Sequence, residues 1–451
     1  MAIFPVPKPL KELSRPFLSS GYSLYLVGGA VRDTLMGRTA TDWDVATDAS
    51  PEQVISLFRH VIPTGIQHGT VTIIHKGQHV ECTTFRTESE YTDGRRPERI
   101  SFTSNIIDDL SRRDFTMNAI AVSLPDGHLL DPFNGRDDIK KKIIRTVGNP
   151  AERFAEDGLR PLRAIRFAAR LGFSIHAQTV QAINPALDTI RKVSVERIRD
   201  ELNKLLASKE PSTGFLLMEK TGLLREFLPE LAVCRGVEQK GNHQFDVLDH
   251  LLLTCDACPP DNLPVRLAGL FHDIGKPACK KMDSDGTWTF YRHDSVSSEI
   301  TRAILTRFKY PNRLTEQVCH LVGQHMFHYE NNWSDAAVRR FLIRVKTENL
   351  DDLFLLRMAD ARATAGLQIP PDHLLPFRQR IDSVLENKNA LTLKDLAVNG
   401  RDLMEIGISP GPRIGQVLGE LFECVTEDPA LNVRKRLLEI AVELNKRYSA
   451  D

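Results

Sequence analysis

The sequence has no apolar run approaching about 18 residues, the least that a membrane-spanning helix needs. Residues 1–9 have neither the basic nor the apolar segment of a secretory signal. There is no surplus of either charge, since Lys and Arg number 59 and Asp and Glu number 59. A nucleic-acid partner would therefore have to bind a local basic patch. We expect a soluble cytoplasmic protein with no membrane partner and no DNA partner.

Cysteine is scarce and odd in number, with seven residues spread over 451 positions. This pattern does not suit a disulfide framework, so we expect reduced thiols. Cys255 and Cys258 form a C-x-x-C pair, but no second pair follows at zinc-ribbon spacing. The sequence therefore does not favour a structural zinc site.

The first 150 residues differ in texture from the rest of the chain. Strand-like segments concentrate there, at 22–27, 43–46, 70–74, 79–85 and 119–124, with helical patterns at 31–36 and 51–59. Beyond residue 150 the periodicity is helical, without internal repeats or low-complexity tracts. We predict an α+β protein, with a mixed-sheet head in residues 1–150 followed by all-α segments. The predicted divisions of the all-α part are 151–235, 236–365 and 366–451.

Asp42 and Asp44 follow a glycine turn, Gly28-Gly29, and form a D-x-D pattern. Alternate residues of a strand face one side, so both carboxylates can bind one hard divalent cation such as Mg²⁺. Backbone N–H groups of the turn can approach phosphate, and Arg32 can add a bidentate contact. The pattern predicts a phosphoryl-transfer site, although by itself an acidic surface pair beside a common turn would look the same.

Two arginine-containing segments follow. Residues 86–101 are polar, contain Asp-Gly and Pro, and predict a mobile loop. Farther on, Arg112 and Arg113 stand beside Asp114, where they could neutralise a triphosphate, and Asn118 could bind a sugar hydroxyl. A surface cluster of ion pairs is the alternative for this second segment.

The segment 156–170 predicts a helix with a cationic face. At about 100° per residue its arginines fall within an arc of about 120°, with apolar residues opposite. The arginines are Arg160, Arg163, Arg166 and Arg170, and the apolar residues are Leu162, Ile165, Ala169 and Phe173. A solvated arginine face would give the same pattern.

Asp157 and Arg160 lie one turn apart, and we expect them to be neighbours on this helix and to act as a pair. Asp accepts a hydrogen bond from an exocyclic amine, and Arg donates one to a ring nitrogen or carbonyl. Cytosine and adenine offer that pattern. Uracil and guanine present the reverse, and a mismatched buried edge costs several kcal/mol, so both would be rejected.

These segments resemble the class II tRNA nucleotidyltransferases, or CCA-adding enzymes, of the polymerase β-like nucleotidyltransferase superfamily, over residues 25–206. The segments similar to family motifs are 28–44 (metal), 112–119 (ribose and phosphate), 131–135 (hinge), 156–166 (nucleobase template) and 195–202 (neck). The resemblance implies a polymerase β-like head in 1–150 and a helical neck carrying the template in 151–235.

The resemblance also implies roles for individual residues. Asp42 and Asp44 would hold Mg²⁺, with Glu81 as a third carboxylate. The residues implied to contact CTP or ATP are Gly29, Arg32, Arg113, Asp157, Arg160, Arg163 and Arg166. The 3′-hydroxyl of a tRNA would then attack the α-phosphorus in line, with a second metal stabilising the pyrophosphate.

A second set of metal-ligand residues begins after residue 242. Its members are His250, His272, Asp273, His293, Asp294, His325, His328 and Asp360. Imidazoles and carboxylates bind divalent transition metals, and an adjacent His-Asp doublet can place two ligands at one cation.

This set resembles the HD phosphohydrolase superfamily, which implies an HD domain in 236–365 and a helical C-terminal part in 366–451. The resemblance implies a basic metal site made of His250, His272, Asp273 and Asp360, with His293 and His325 at a second metal. Phosphatase or 2′,3′-cyclic phosphodiesterase activity would follow, and a fold kept for tRNA packing with little turnover is the alternative.

Other functions stay open. The loop 87–99 is implied to be the lever that switches the template from C to A, and enzymes restricted to adding CC tend to lack it. The chain therefore resembles a full CCA-adder or an A-adder. Bacterial poly(A) polymerases share the head but usually have a basic C-terminal extension, whereas residues 391–451 are mixed in charge. An RNA-binding protein or an HD hydrolase with an inactive head is an alternative of another class, against which the intact Asp42 and Asp44 argue.

Overall fold

The computed structural model describes residues 4–40, 42–89, 99–239, 245–284, 286–330, 332–365, 374–386 and 390–448. The chain divides into two compact units, Met1–Ala232 and Val233–Asp451. The first contains a mixed sheet flanked by helices and the second is mostly helical, so the predicted fold class is confirmed.

A seven-stranded sheet forms the centre of the first unit, in the order β3-β4-β5-β2-β1-β8-β9. Its strands are β1 (Leu24–Val27), β2 (Trp43–Thr47), β3 (Val61–Gly65), β4 (Thr70–His75), β5 (Gln78–Thr84), β8 (Ala121–Ser123) and β9 (Leu129–Leu130). β2 and β5 pair in parallel, and the other neighbours are antiparallel. Each of the five predicted strands has a counterpart among them.

Period-2 burial explains these strands. Leu24 and Leu26 of β1, Val71 and Ile73 of β4, and the alternating pair of β5 point into one core. The alternating residues of β5 are Val80 and Cys82. Residues between them, such as Glu81, are exposed on the other face. The sheet thus has one face for packing and one available to a site.

Three short two-stranded pairs lie outside the main sheet. They are β6 (Arg86–Ser89) with β7 (Arg99–Phe102), β10 (Ile143–Ile144) with β11 (Ser174–Ile175), and β12 (Lys281–Met282) with β13 (Trp288–Thr289). The prediction of a loop over 86–101 was therefore wrong at both ends, where ladder hydrogen bonds form a hairpin. Residues 90–98 lie outside the described residues.

The helices of the first unit surround the sheet and continue beyond it. They are α1 (Lys8–Ser19), α2 (Gly29–Leu35), α3 (Pro51–Leu57), α4 (Ile106–Ser111), α5 (Gly135–Lys141), α6 (Pro150–Glu156), α7 (Arg160–Leu171), α8 (Ala177–Gln181), α9 (Leu187–Ile190), α10 (Val195–Leu206), α11 (Pro211–Thr221), α12 (Leu223–Phe227) and α13 (Pro229–Ala232). A capping box between Ser50 and Gln53 starts α3, with Pro51 at its first position.

The second unit is built mostly from helices. They are α14 (Val247–Ala257), α15 (Leu263–Phe271), α16 (Lys276–Cys279), α17 (His293–Arg307), α18 (Asn312–Gln324), α19 (Asp335–Val345), α20 (Leu350–Ala365), α21 (Leu375–Glu386), α22 (Gly400–Glu405), α23 (Pro412–Glu427) and α24 (Arg434–Arg447). A C-terminal apolar core includes Val417, Leu421 and Leu437. Among the described residues, no helix has the length and apolar character needed to cross a membrane.

Candidate functional site

Three carboxylates gather at one edge of the central sheet. Asp44 on β2 is the register partner of Glu81 on the parallel strand β5, and Asp42 lies just before β2. The Asp44 side chain opens onto solvent, yet surrounding protein displaces part of its water. This desolvation, followed by repulsion from Glu81, raises the pKa of Asp44 to about 6; Asp42 adds to the rise and Arg113 opposes it. A divalent cation beside Asp44 and Glu81 would relieve this repulsion.

The turn before α2 lets the backbone approach these groups. Gly28 has φ of +72°, a conformation that L side chains rarely adopt. A Cβ on Gly28 would lie 3.3 Å from Arg113 Nη1 and 3.5 Å from Asp44 Oδ2. Glycine at this position therefore provides the turn. It also keeps open the space between the Arg113 guanidinium and the Asp44 carboxylate.

A cavity of about 320 Å³ joins the acidic edge to the predicted template segment. Of the residues predicted from sequence, it is lined by Asp44, Glu81, Arg112, Arg113, Asp157, Arg160 and Arg163. Arg86 and Asp114, to which the sequence assigned no role, also line it. The clustering of these lining residues depends on strand order and helix packing, which no local sequence pattern reveals.

The template segment is not one continuous helix, which corrects the expectation that Asp157 and Arg160 are neighbours on a helix. α6 ends at Glu156, Asp157 has extended backbone angles, and α7 begins at Arg160. The backbone N–H of Arg160 donates to the Asp157 carbonyl at 3.0 Å. Gly158 makes this break possible, because a Cβ there would lie 2.6 Å from the Thr189 carbonyl oxygen.

The two template side chains bind other partners. Arg197 on α10 donates through Nη2 to Asp157 Oδ2 at 2.8 Å. Arg160 donates to Glu156 Oε2 at 2.5 Å and to the Arg112 carbonyl at 2.8 Å. In this structure Asp157 is therefore held by Arg197. Arg160 is held by Glu156 and the Arg112 carbonyl.

The arginine face of α7 is largely buried, which corrects the expectation of a cationic face opposite a packed one. Arg160 and Arg166 are 7% and 4% exposed, and only the farther Arg170 is fully open. Arg163 donates to Asp114 Oδ2 at 2.9 and 2.7 Å, and Arg166 donates to Glu201 Oε2 at 2.5 Å. Glu201 comes from α10, whose packing against α7 the sequence did not predict.

Three of the predicted nucleotide contacts, Gly29, Arg32 and Arg166, are not among the described residues that line this cavity. Arg32 is 5% exposed, donates to Asn118 Oδ1 at 2.8 Å and stands 5.1 Å from the Phe167 ring centroid. The Arg166 guanidinium lies 3.8 Å from the same centroid. Gly29 is the first residue of α2. Arg32 and Arg166 thus support the wall of the site in this conformation.

The predicted histidine and aspartate residues of the second unit come together although five separate helices or helix ends supply them. His250 lies on α14, His272 and Asp273 follow α15, and Asp360 lies on α20. His250 Nε2 is 3.1 Å from His272 Nε2, 3.5 Å from Asp273 Oδ2 and 3.2 Å from Asp360 Oδ1. These four residues were predicted as the basic metal set.

The second predicted pair faces the other oxygen of the same aspartate. His293, the first residue of α17, has Nε2 3.1 Å from Asp273 Oδ1, and His325, after α18, has Nε2 3.5 Å from it. Asp273 therefore stands between two groups of ligand atoms, each compact enough to hold one ion. His328 is 80% exposed and beside Glu330, outside the cluster.

Neighbouring backbone carbonyls orient the rings. The Nδ1 atoms of His272, His293 and His325 lie 3.0, 2.8 and 2.7 Å from the carbonyls of Gly269, Phe290 and Val322. An Nδ1–H that donates there leaves Nε2 with its lone pair toward the cluster. His293 Nε2, His325 Nε2 and Asp273 Oδ1 are buried and have no hydrogen-bond partner among the described residues. Such unsatisfied buried atoms fit metal ligands.

The charged groups around Asp273 favour its ionised form, which is the form that binds a cation. Burial alone would raise the pKa of Asp273, but His272 and Lys276 hold it well below its ordinary value. Lys276 Nζ lies 2.6 Å from Asp273 Oδ2. Gly275 permits the close packing, because a Cβ there would lie 2.7 Å from the Ser297 nitrogen and 2.9 Å from the His293 carbonyl.

The fold and the acidic edge of the first unit define a nucleotidyltransferase, a class that generally uses a divalent metal. In agreement, the Poly A polymerase head domain family matches residues 24–145, the RNA and SrmB-binding site of polymerase A matches 172–234, and tRNA nucleotidyltransferase domain 2 matches 282–441. The chain belongs to the CCA-adding enzyme family, because it is 35% identical to the CCA-adding enzyme of Levilactobacillus brevis over 93% of this chain and 96% of that protein.

Other relatives and solved structures agree. The CCA-adding enzyme of Lactiplantibacillus plantarum is 34% identical, with 98% of this chain and 96% of that protein covered. The crystal structure of the Bacillus stearothermophilus CCA-adding enzyme in complex with CTP has a TM-score of 0.74 at 28% identity, covering 98% of both chains. The Thermotoga maritima CCA-adding enzyme complexed with tRNA, at 20% identity and a TM-score of 0.57 over 98% of this chain and 99% of that one, shares the fold.

Proposed function

We propose that the first unit adds C, C and A to the 3′ end of tRNA, using CTP and ATP and Mg²⁺, in the cytoplasm. One observation carries the proposal. A single cavity is lined by the acidic edge at Asp44 and Glu81 and by the base-reading residues Asp157 and Arg160. Phosphoryl transfer needs the first group, and selection of cytosine and adenine needs the second.

Asp42, Asp44 and Glu81 would hold the metal, which supplies positive charge that lowers the pKa of the attacking hydroxyl and neutralises the leaving pyrophosphate. Arginine side chains of the protein supply further positive charge. Arg113 and Arg163 line the same cavity and can neutralise phosphate oxygens. The protein thus acts by positioning and by charge neutralisation, without a covalent intermediate.

Base reading requires a rearrangement. Arg160 has to exchange its present partner Glu156 for the edge of a nucleobase, while Asp157 presents its remaining lone pairs to that edge and Arg197 keeps hold of Oδ2. We propose residues 151–235 as the neck that carries this template, with the segment 87–99 as the lever for the change from C to A.

The assay uses tRNA ending at the discriminator base, with CTP alone, ATP alone or both. Three additions only when both are present support the proposal. A single A on tRNA that already ends in CC, without C addition, would identify an A-adder, and a long A tail a poly(A) polymerase. Asp42→Ala with Asp44→Ala should abolish incorporation; incorporation at the wild-type rate would refute the polymerase assignment.

We further propose that residues 236–365 form an HD domain that binds divalent transition metals and hydrolyses phosphate esters, such as 2′,3′-cyclic nucleotides, with 366–451 as a helical C-terminal part. Six buried ligand residues, Asp273 among them, with unsatisfied atoms at His293 and His325, favour this second function. The metal would supply a bound hydroxide and polarise the phosphate.

Separate variants test this second function. His272→Ala and Asp273→Ala should each abolish cleavage of the cyclic ester and leave CCA addition intact. His328→Ala is a matched control, because this histidine is exposed and outside the cluster. Cleavage that survives both cluster substitutions would refute the assignment.

A further inference from the structure

A cavity of about 670 Å³ opens directly over the histidine and aspartate cluster of the second unit. Asp273, His293, His325 and Asp360 line one side of it. The opposite side is formed by residues 288–292, the end of the β12–β13 hairpin and the lead into α17. Its volume is within the range of about 300–1,000 Å³ typical of small-molecule sites.

The rim of this cavity carries large apolar side chains that solvent reaches. Tyr291 is 76% exposed and Met326 is 60% exposed, and both line the cavity. Trp288 also lines it, but Lys280 Nζ already lies 4.1 Å from its ring centroid. Within the part of the chain that the structure describes, the Tyr291 ring has no ring or cation partner. Exposed apolar side chains beside a polar centre suggest a ligand that covers them.

Two arginines also line this cavity. Arg292 lines the cavity, is exposed and has φ of +62°, a sparsely populated conformation for a residue other than glycine. It makes no ion pair with any described residue. Arg357 lines the cavity too and donates to Asp360 Oδ2 at 2.6 Å. The lining of the cavity thus combines the ligand cluster, guanidinium groups, and exposed aromatic and thioether side chains.

We propose that Tyr291 and Met326 recognise the base of the nucleotide ester cleaved at this cluster, while Arg292 binds its phosphate. The inference rests on the proposed phosphohydrolase function and adds its substrate recognition. A base presents a flat π face that stacks on an aromatic ring, and phosphate pairs with a guanidinium. A sugar phosphate or a polyphosphate would leave Tyr291 and Met326 uncovered.

The reaction is a hydrolysis and needs no redox partner. A water oxygen forms a bond to phosphorus, and the bond between phosphorus and one ribose oxygen breaks. The proton lost by the water ends on that ribose oxygen. A 2′,3′-cyclic phosphate so becomes a nucleoside monophosphate.

The test compares two esters that differ only in the base: adenosine 2′,3′-cyclic phosphate and methyl riboside 2,3-cyclic phosphate. The full chain is supplied with Mn²⁺, Co²⁺ or Ni²⁺, and cleavage is followed by ³¹P NMR. We expect wild type to prefer the adenosine ester in kcat/KM by about tenfold or more, and Tyr291→Ala to reduce that preference by about tenfold. Tyr291→Phe should retain it.

Met282→Ala is the matched control, because Met282 is 59% exposed on the same hairpin but does not line the cavity; it should keep the wild-type preference. Equal use of both esters by wild type, or an equal loss of both in Tyr291→Ala, would overturn base recognition alone. If wild type cleaves neither ester with any of the three metals, the phosphohydrolase assignment fails, and this inference with it.

Binding gives a readout independent of turnover. Calorimetric titration of the metal-loaded protein with adenosine 3′-phosphate should show a component that Tyr291→Ala weakens by about tenfold and Met282→Ala retains. The same component should be absent with ribose 5-phosphate. Titrations in which the two variants are indistinguishable would contradict the proposal.

Discussion

At the residue scale, the carboxyl of Asp44 stands out because its ionised form is disfavoured. Desolvation and the neighbouring Glu81 raise its pKa to about 6, well above the ordinary pKa of an aspartate. Carboxylates elsewhere in the same unit have cationic partners: Arg166 and Arg163 outweigh burial and lower the pKa of Glu201, and Arg163 does so for Asp114. Of these three carboxylates, only Asp44 keeps a net repulsion from neighbouring carboxylates, which a bound cation would offset.

The raised pKa of Asp44 has a consequence for stability. In metal-free buffer its protonated form stabilises the folded head at low pH, and this contribution is lost as the pH rises through about 6. Asn keeps the side chain uncharged. We therefore expect the thermal midpoint of Asp44→Asn in EDTA to exceed that of wild type at about pH 7.5, with the difference narrowing toward about pH 4.

Saturating Mg²⁺ serves as the control for Asp44→Asn, because it should raise the midpoint of wild type more than that of the variant. Midpoints that coincide at every pH would show that Asp44 carries no repulsion in the folded state.

A second residue, Arg197, positions the template through its 2.8 Å hydrogen bond to Asp157. Arg197→Ala would let this carboxylate rotate, so we expect discrimination between CTP and UTP to fall by about tenfold, the effect of one lost charged hydrogen bond. The ratio of kcat/KM values for the two nucleotides measures it. Arg199→Ala, on the same helix and beside Asp200, should keep the ratio.

A comparable loss of discrimination in Arg199→Ala would mean that α10 acts through its overall packing instead of through Asp157.

At the element scale, the break between α6 and α7 positions the template, and its closest neighbour is the end of α9. A Cβ at Gly158 would lie 2.6 Å from the Thr189 carbonyl oxygen. Helix α7 then runs along α10, where Glu201 accepts from Arg166. A few residues of backbone geometry therefore decide where Asp157 and Arg160 stand relative to the acidic edge.

Two glycines allow this to be tested. Gly158→Ala forces backbone apart and should destabilise the protein by about 1–3 kcal/mol and lower CCA addition. Gly419, inside α23, has no atom within 4 Å of a built Cβ, so Gly419→Ala should stabilise by up to about 1 kcal/mol without changing addition. Urea denaturation measures both. A Gly158→Ala protein as stable and active as wild type would show that the break tolerates a side chain.

At the scale of the whole molecule, two compact units carry sites of different ligand chemistry. The first unit offers carboxylate oxygens, which suit Mg²⁺, whereas the second offers imidazoles and carboxylates, which suit transition metals. The two metals should therefore act on different parts of the chain.

Thermal unfolding should reveal this independence. Ni²⁺ or Co²⁺ at about 100 times its Kd should stabilise the second unit by about 3 kcal/mol, since binding to the folded state shifts the unfolding equilibrium. Asp273→Ala should remove this response and keep the response to Mg²⁺. Loss of both responses in Asp273→Ala would mean that the two units do not bind metal independently.

The sequence by itself predicted five of the seven strands of the sheet, the acidic pair at Asp42 and Asp44, and the set of histidines around His272 and Asp273. These features rest on local patterns, since alternation, glycine turns and ligand residue types are readable over a few positions. Family membership also followed from such motifs.

Only the tertiary structure decided how those residues are paired. Asp157 meets Arg197, Arg163 meets Asp114, and Asp273 stands between two groups of histidines because helices distant in sequence pack together. Arg166 of α7, which by periodicity belongs to a cationic face, is buried against Glu201 of α10. Charge at a site depends on distances across the fold, and no local pattern encodes those distances.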